Sequence, residues 1–168
     1  MPMTTAGRII RALDGLSRRV NTLVEQGLFG LGTAMIAVVA AQVFFRYVLN
    51  QSLFWSEELA RYMLVWLTFL GASVAYRRNV HPRIDLFSSR LDGPPARVMR
   101  IAAHLVAAAF FGLLVIYGAQ FAYFVRLQIS PALQLPKWIV MLVLPVSGVL
   151  LMLHAAAAIA AEWGDPGR

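Results

Sequence analysis

Three uncharged runs limit what this chain can fold into: Gly27 to Phe45, 19 residues; Ile101 to Val125, 25 residues; and Trp138 to Ala161, 24 residues. At 1.5 Å per residue the shortest makes about 28 Å of helix, close to a hydrocarbon core of roughly 30 Å. Lipid offers the backbone no hydrogen-bond partner, so runs of this length cross it as helices that bond within themselves. A composition of 60% hydrophobic and 14% charged residues agrees with an integral membrane protein.

A fourth segment carries charge. Tyr62 to Tyr76 contains 15 uncharged residues, only about 22 Å of helix. Starting instead at Trp55, an aromatic suited to the headgroup level, gives about 33 Å up to Arg77. That start carries Glu57, Glu58 and Arg61 into the outer part of the span, where Arg61 lies one turn from both carboxylates. A charge costs roughly 2.5–3.5 kcal/mol at the bilayer centre and less near the surface. The three groups therefore either snorkel at the interface or face protein. Glu58 is expected to be the more buried carboxylate, because it shares a helical face with Tyr62, Trp66 and Phe69. Arg61 and Arg46 are its possible cationic partners, and Glu57 is left to reach the surface.

The spans are expected near residues 24–46, 55–77, 98–125 and 138–161, giving an all-α integral membrane protein with one membrane domain over residues 1–168. In the arm, residues 1–23, the apolar Ile9, Leu13, Leu16, Val20 and Leu23 recur at helical spacing, while Arg8, Arg11 and Arg18 fall on another face. This pattern predicts an amphipathic helix lying on the membrane surface. A cleaved signal peptide competes with that reading, but the apolar run that follows is too long for one, and a retained anchor fits better. Pro82 opens a second, short interfacial helix with Ile84, Phe87 and Leu91 on one side. Gly30, Ala34, Ala37 and Ala41 offer a small-residue packing face in the first span. In the fourth, Pro145 removes the hydrogen bond to the carbonyl of Met141 and predicts a kink.

Eleven lysines and arginines fall in the arm, the loop between the second and third spans, and the tail, residues 162–168; the other side has four, Arg46, Arg61, Arg126 and Lys137. The positive-inside rule then places both termini in the cytoplasm. The net charge of +7 reads as topology signals and lipid contacts; no nucleic acid is expected, since no basic face interleaved with aromatics is present.

Catalytic signatures are missing. The chain has no cysteine, no phosphate-binding loop, no His-Glu-x-x-His and no G-x-S-x-G, so no enzyme activity, metal or cofactor is expected. His104 and His154 stand at comparable depth on different helices and could ligate a b-type haem. The simpler reading is that each hydrogen-bonds across a helix contact. A small self-contained exporter is the other alternative, but no acidic residue lies near a helix midplane to serve proton coupling.

Several motifs together resemble one family. They are R-Y-V-L-N at Arg46–Asn50, W-S-E-E-L-A-R-Y at Trp55–Tyr62, W-x-x-F-L-G-A at Trp66–Ala72, R-R-x-x-H-x-x-x-D at Arg77–Asp85, L-Q-L-P-K-W at Leu133–Trp138 and L-P-V-S-G at Leu144–Gly148. This set is similar to the small membrane subunit, DctQ-like, of tripartite ATP-independent periplasmic (TRAP) transporters, and it runs from about Val24 to Ala161. The resemblance implies a bacterial inner-membrane subunit without a catalytic site. It also implies a large DctM-like subunit that carries organic acid with sodium, and a soluble DctP-like periplasmic protein that delivers it. The small subunit would act as a fixed scaffold for the large one and help dock the binding protein. On that resemblance the interface candidates are Arg46, Tyr47, Asn50, Trp55, Glu57, Glu58, Arg61, Tyr62, Trp66, Gly71, Arg77, His81, Asp85, Pro136 and Pro145, with membrane lipids as further partners.

The charge asymmetry has a direct check. A single cysteine at Ser89 is expected to resist a membrane-impermeant thiol reagent in intact cells and to label only after permeabilisation; labelling in intact cells would reverse the orientation.

Overall fold

A computed structural model describes residues 5–78 and 94–164. Helix α1 runs from Thr5 to Tyr47, α2 from Phe54 to Arg77, α3 from Pro94 to Phe124, α4 from Lys137 to Met141 and α5 from Val143 to Gly164. Taken with α4 and α5 as one broken span, four helices are long and apolar enough to cross a membrane. The short helix expected after Pro82, together with His81 and Asp85, lies outside the described residues.

Helix α1 departs from expectation. Its 43 residues extend about 64 Å, and the arm passes into the span at residues 23 and 24 without interruption. No hinge there turns the arm flat. The physical reason is that no proline or turn cluster separates the two parts, and the arm's polar side chains find partners on α2 and α5. Within the helix, the hydroxyls of Thr22 and Thr33 donate to the carbonyls of Arg18 and Phe29, so they place no unmet donor in its way. The helix ends at Tyr47, and three residues on, Asn50 takes a left-handed φ of 50°. The amide of Gln51 then donates back to the carbonyl of Phe45 at 3.0 Å, so the turn satisfies one of the carbonyls that the end of a helix leaves free. Helix α2 starts after Leu53, whose carbonyl accepts the hydroxyl of the buried Ser56 at 2.6 Å.

The connection from α3 to α4 is a small hairpin. Ile129 and Pro136 pair antiparallel, the amide of Ser130 donates to Leu135 at 2.9 Å and that of Lys137 to Gln128 at 2.9 Å. Gln134, with a φ of 54°, supplies the left-handed residue. Between α4 and α5 the helix breaks at Leu142 and resumes with the amide of Val146 donating to Leu142 at 3.1 Å. The break falls beside Met141, the carbonyl that Pro145 cannot serve, as the proline predicts.

Helix α5 is central. It packs on α1, α2 and α3, while α1 and α2 pair with each other and α3 lies on the far side of α5. Buried residues gather along this contact: Val143, Leu151, Ala155 and Ala157 on α5, Phe111 and Ala122 on α3. The closest approach uses two glycines. A β-carbon on Gly118 would stand 2.7 Å from Leu144 and 3.1 Å from the Pro145 ring; one on Gly148 would stand 2.7 Å from Val115. The stripe on α1 behaves differently: Ala34 and Ala41 are half-buried, Gly30 and Ala37 are exposed, and nothing lies within 4 Å of a β-carbon at Gly30. Small residues thus bring backbones together between α3 and α5, where the bend at Pro145 pushes a bulky ring toward α3.

Gly148→Val should overpack that contact and cost about 1–3 kcal/mol, while Gly30→Val should be close to neutral. Thermal unfolding in detergent separates the two, and equal midpoints would refute the packing.

Candidate functional site

The end of the molecule where α1 turns into α2 and α3 into α4 is the turn end; the opposite end, which holds Arg77 and Arg100, is the arginine end. Polar contacts concentrate at these ends.

At the turn end the carboxylate of Glu58 closes onto the hairpin. Its Oε2 accepts the backbone amides of Ala132 at 2.8 Å and Leu133 at 3.1 Å, and its Oε1 accepts the hydroxyl of Tyr62, one turn along α2. Ser130, fully buried, turns its Oγ to the amide of Leu135 at 3.2 Å. A carboxylate that binds successive amides in a turn does for the hairpin what a capping side chain does for a helix: it satisfies donors that the tight turn cannot pair internally. The hairpin therefore has one shape, set from α2.

Glu58 is, as expected, better covered than Glu57, which is exposed and accepts the amide of Gln42 on α1 at 3.2 Å. Its partners correct the expectation. Arg61 is exposed and Arg46 lies beside the Tyr47 ring at 6.0 Å; neither pairs with Glu58 among the described residues. Neutral donors stand where a cation was expected: two hairpin amides occupy Oε2 and the Tyr62 hydroxyl occupies Oε1. Trp55 and Tyr47 are exposed at the same end, and Asn50 lies in the turn after α1. Pro136 precedes α4 and closes the hairpin. Trp66 and Gly71 lie along α2, where Gly71 has no neighbour within 4 Å of an added β-carbon, and Pro145 packs against Gly118.

At the arginine end four helices are tied crosswise. Arg77 on α2 donates to Asp14 on α1, which also accepts from Arg18 at 2.9 Å. Arg78 pairs with Glu25 at 2.8 Å. His154 on α5 shares a 2.8 Å hydrogen bond with Ser17 on α1, and both are buried. Tyr76 on α2 shares one of 2.7 Å with His104 on α3, and Arg100 on α3 pairs bidentately with Glu162 on α5 at 3.0 and 3.1 Å. Both histidines thus bridge helices, as the simpler reading expects. Sequence reasoning missed Ser17 as the partner of His154, Asp14 as that of Arg77 and Glu162 as that of Arg100; the signal on the arm was Asp14, the one acid within residues 1–23. Among the described residues no cluster of three or more metal-ligating side chains occurs.

Four apolar helices, locked by polar pairs at both ends, define a multi-pass membrane protein. Residues 35–164 match the family model of the tripartite ATP-independent periplasmic transporters, DctQ component, and the chain belongs to that family. It is 31% identical over 117 residues to the C4-dicarboxylate TRAP transporter small permease protein DctQ of Rhodobacter capsulatus, covering 68% of this chain and 52% of that one. It is 31% identical over 140 residues to the isethionate TRAP transporter permease protein DctMQ of Oleidesulfovibrio alaskensis, covering 77% and 22%. With the sialic acid TRAP transporter small permease protein SiaQ of Vibrio cholerae it shares 28% over 110 residues, covering 66% and 64%. The chain spans about half the length of the first of these relatives and less than two thirds of the others. Such proteins are transporter components of the inner membrane and not enzymes.

The clamp has a chemical signature. Glu58→Ala should speed tryptic cleavage after Arg126 and Lys137 several-fold in the purified protein, whereas Glu57→Ala should leave it unchanged. Equal rates in both variants would mean that the hairpin holds its shape without Glu58.

Proposed function

We propose that this chain is the fixed, non-catalytic small permease subunit of a TRAP transporter for an organic acid. It packs beside a large membrane subunit that performs sodium-coupled transport and helps dock a periplasmic binding protein. Both termini are cytoplasmic and the turn end faces the periplasm. The observation that carries this reading is the Glu58 clamp, which makes the α3–α4 hairpin a projection of constant shape at one end of the molecule. A soluble partner that must dock repeatedly gains affinity from a preorganised surface, because no loop has to be ordered on binding.

Other features support a static role. The cross-helix pairs at the arginine end join α1, α2, α3 and α5 by contacts that a sliding element would have to break together. The match to only 22% of the isethionate permease DctMQ supports a working position next to a larger membrane polypeptide. The names of the relatives, C4-dicarboxylate, isethionate and sialic acid, support an organic acid as cargo. The remaining candidates at the turn end, Arg46, Tyr47, Trp55, Glu57 and Arg61, are exposed and stand ready for contact with a second protein.

Reconstitution tests the assignment. The purified chain alone in proteoliposomes should move neither organic acid nor sodium, and uptake should appear once a large subunit and binding protein are present. Glu58→Ala should then lower the initial rate at limiting binding protein and recover toward wild type when binding protein is in excess. Uptake by the chain alone would overturn the scaffold reading, and an unchanged rate at limiting binding protein would remove the hairpin from docking.

A further inference from the structure

A groove of about 530 Å³ opens at the turn end between the last turns of α3 and the start of α4. Its size lies in the roughly 300–1,000 Å³ range of small-molecule sites. The lining is almost wholly apolar: Ala119, Ala122, Leu127 and Leu142 form its sides, and Tyr123 and Trp138 stand among them. The two alanines make the space, since larger residues there would fill it. One cation completes the lining. The guanidinium of Arg126 lies 3.8 Å from the centre of the Tyr123 ring and donates to the Tyr123 carbonyl at 3.2 Å, which holds it in place.

Arg126 has no carboxylate partner among the described residues. The ion pairs of the described residues involve Asp14, Glu25 and Glu162, all at the arginine end. Lys137 adds a second positive charge near the groove; its ammonium donates to the neutral Gln128 at 3.4 Å, with no carboxylate paired to it among the described residues. Tyrosine and tryptophan flanking the site mark the headgroup level of a bilayer, where their rings are half in hydrocarbon and half in water. The site thus pairs an apolar slot on the hydrocarbon side with an uncompensated cation at headgroup depth.

We propose that this groove binds an anionic phospholipid of the adjoining leaflet, with an acyl chain along Ala119, Ala122 and Leu142 and the phosphate on Arg126 and Lys137. Charge complementarity selects this occupant. A zwitterionic lipid would fill the slot equally well but leave the two cations less compensated. A partner helix would need a matching carboxylate at this depth. The α3 face that carries Val106, Phe110 and Tyr117 offers the contrast: all three are exposed within an uncharged stretch of the helix, suited to unselective contact with acyl chains.

Tryptophan quenching tests the site in the full chain, with Trp55, Trp66 and Trp163 replaced by phenylalanine so that Trp138 alone reports. In vesicles of mixed composition, brominated phosphatidylglycerol should half-quench Trp138 at about fivefold lower mole fraction than brominated phosphatidylcholine, the selectivity that one well-placed basic residue provides. Arg126→Gln should narrow that preference, and Arg126→Gln together with Lys137→Gln should bring the two lipids to parity. Ala119→Leu, at an exposed position on the groove wall, should weaken quenching by both lipids and so test the slot independently of the charge. Equal quenching by both lipids in the parent protein, reducing the site to ordinary annular contact, overturns the proposal. So does a preference that survives the double substitution, or exclusion of both lipids from Trp138 in an assembled transporter.

Discussion

The contact between α3 and α5 is the one on which the rest of the fold depends. Lipid tails are as apolar as leucine, so helices in a bilayer gain little from burying apolar surface and must associate through close packing and polar pairing. Here both devices converge on α5. Pro145 bends its start and turns a ring toward α3, and Gly118 stands opposite with no side chain to obstruct it. Val115, about one turn of α3 earlier, and the Phe111 carbonyl, about two turns earlier, crowd the place where a β-carbon on Gly148 would be. Glycine on each helix meets bulk on the other, and the bend and the gap form one fitted unit.

With α5 placed, the polar pairs bring the other helices to it. Ser17 meets His154 and Arg100 meets Glu162 directly on α5, while Asp14 and Glu25 hold the end of α2 to α1. Hydrogen bonds between membrane helices average only about 0.6 kcal/mol each. Their number and their distribution over every helix matter more than any single strength, because displacing one helix breaks several at once. The same reasoning applies to Glu58. Its value lies less in energy than in geometry, since one carboxylate on a long helix fixes the path of a hairpin that begins and ends on other elements.

Much of the chain could be read in advance from particular residues. Trp55 and Arg77 bracket α2 because one prefers the headgroup level and the other ends an apolar run. Asn50 is a residue type that favours turns, and the structure places it in the left-handed conformation between α1 and α2. Pro145 interrupts its helix for want of a single N–H. The motifs around Glu58 pointed to the right family. What they did not show was whom Glu58 meets: Ala132 and Leu133 are 74 and 75 residues away, and backbone amides carry no sequence signature.

The amino-acid sequence by itself determined the class of the protein and the number of its crossing helices. Uncharged runs of bilayer length have only one low-energy backbone in lipid, whatever surrounds them. It also determined where helices end and bend, since asparagine and proline act on their own backbone. The tertiary structure decided which faces meet. Gly30 and Gly118 look alike in a sequence, and only the bend at Pro145 on a facing helix makes one a contact and leaves the other open. It likewise decided that the arm continues α1, and that Glu58 binds amides in place of arginine. Such choices depend on three-dimensional proximity between distant segments, which a local pattern of residues does not encode.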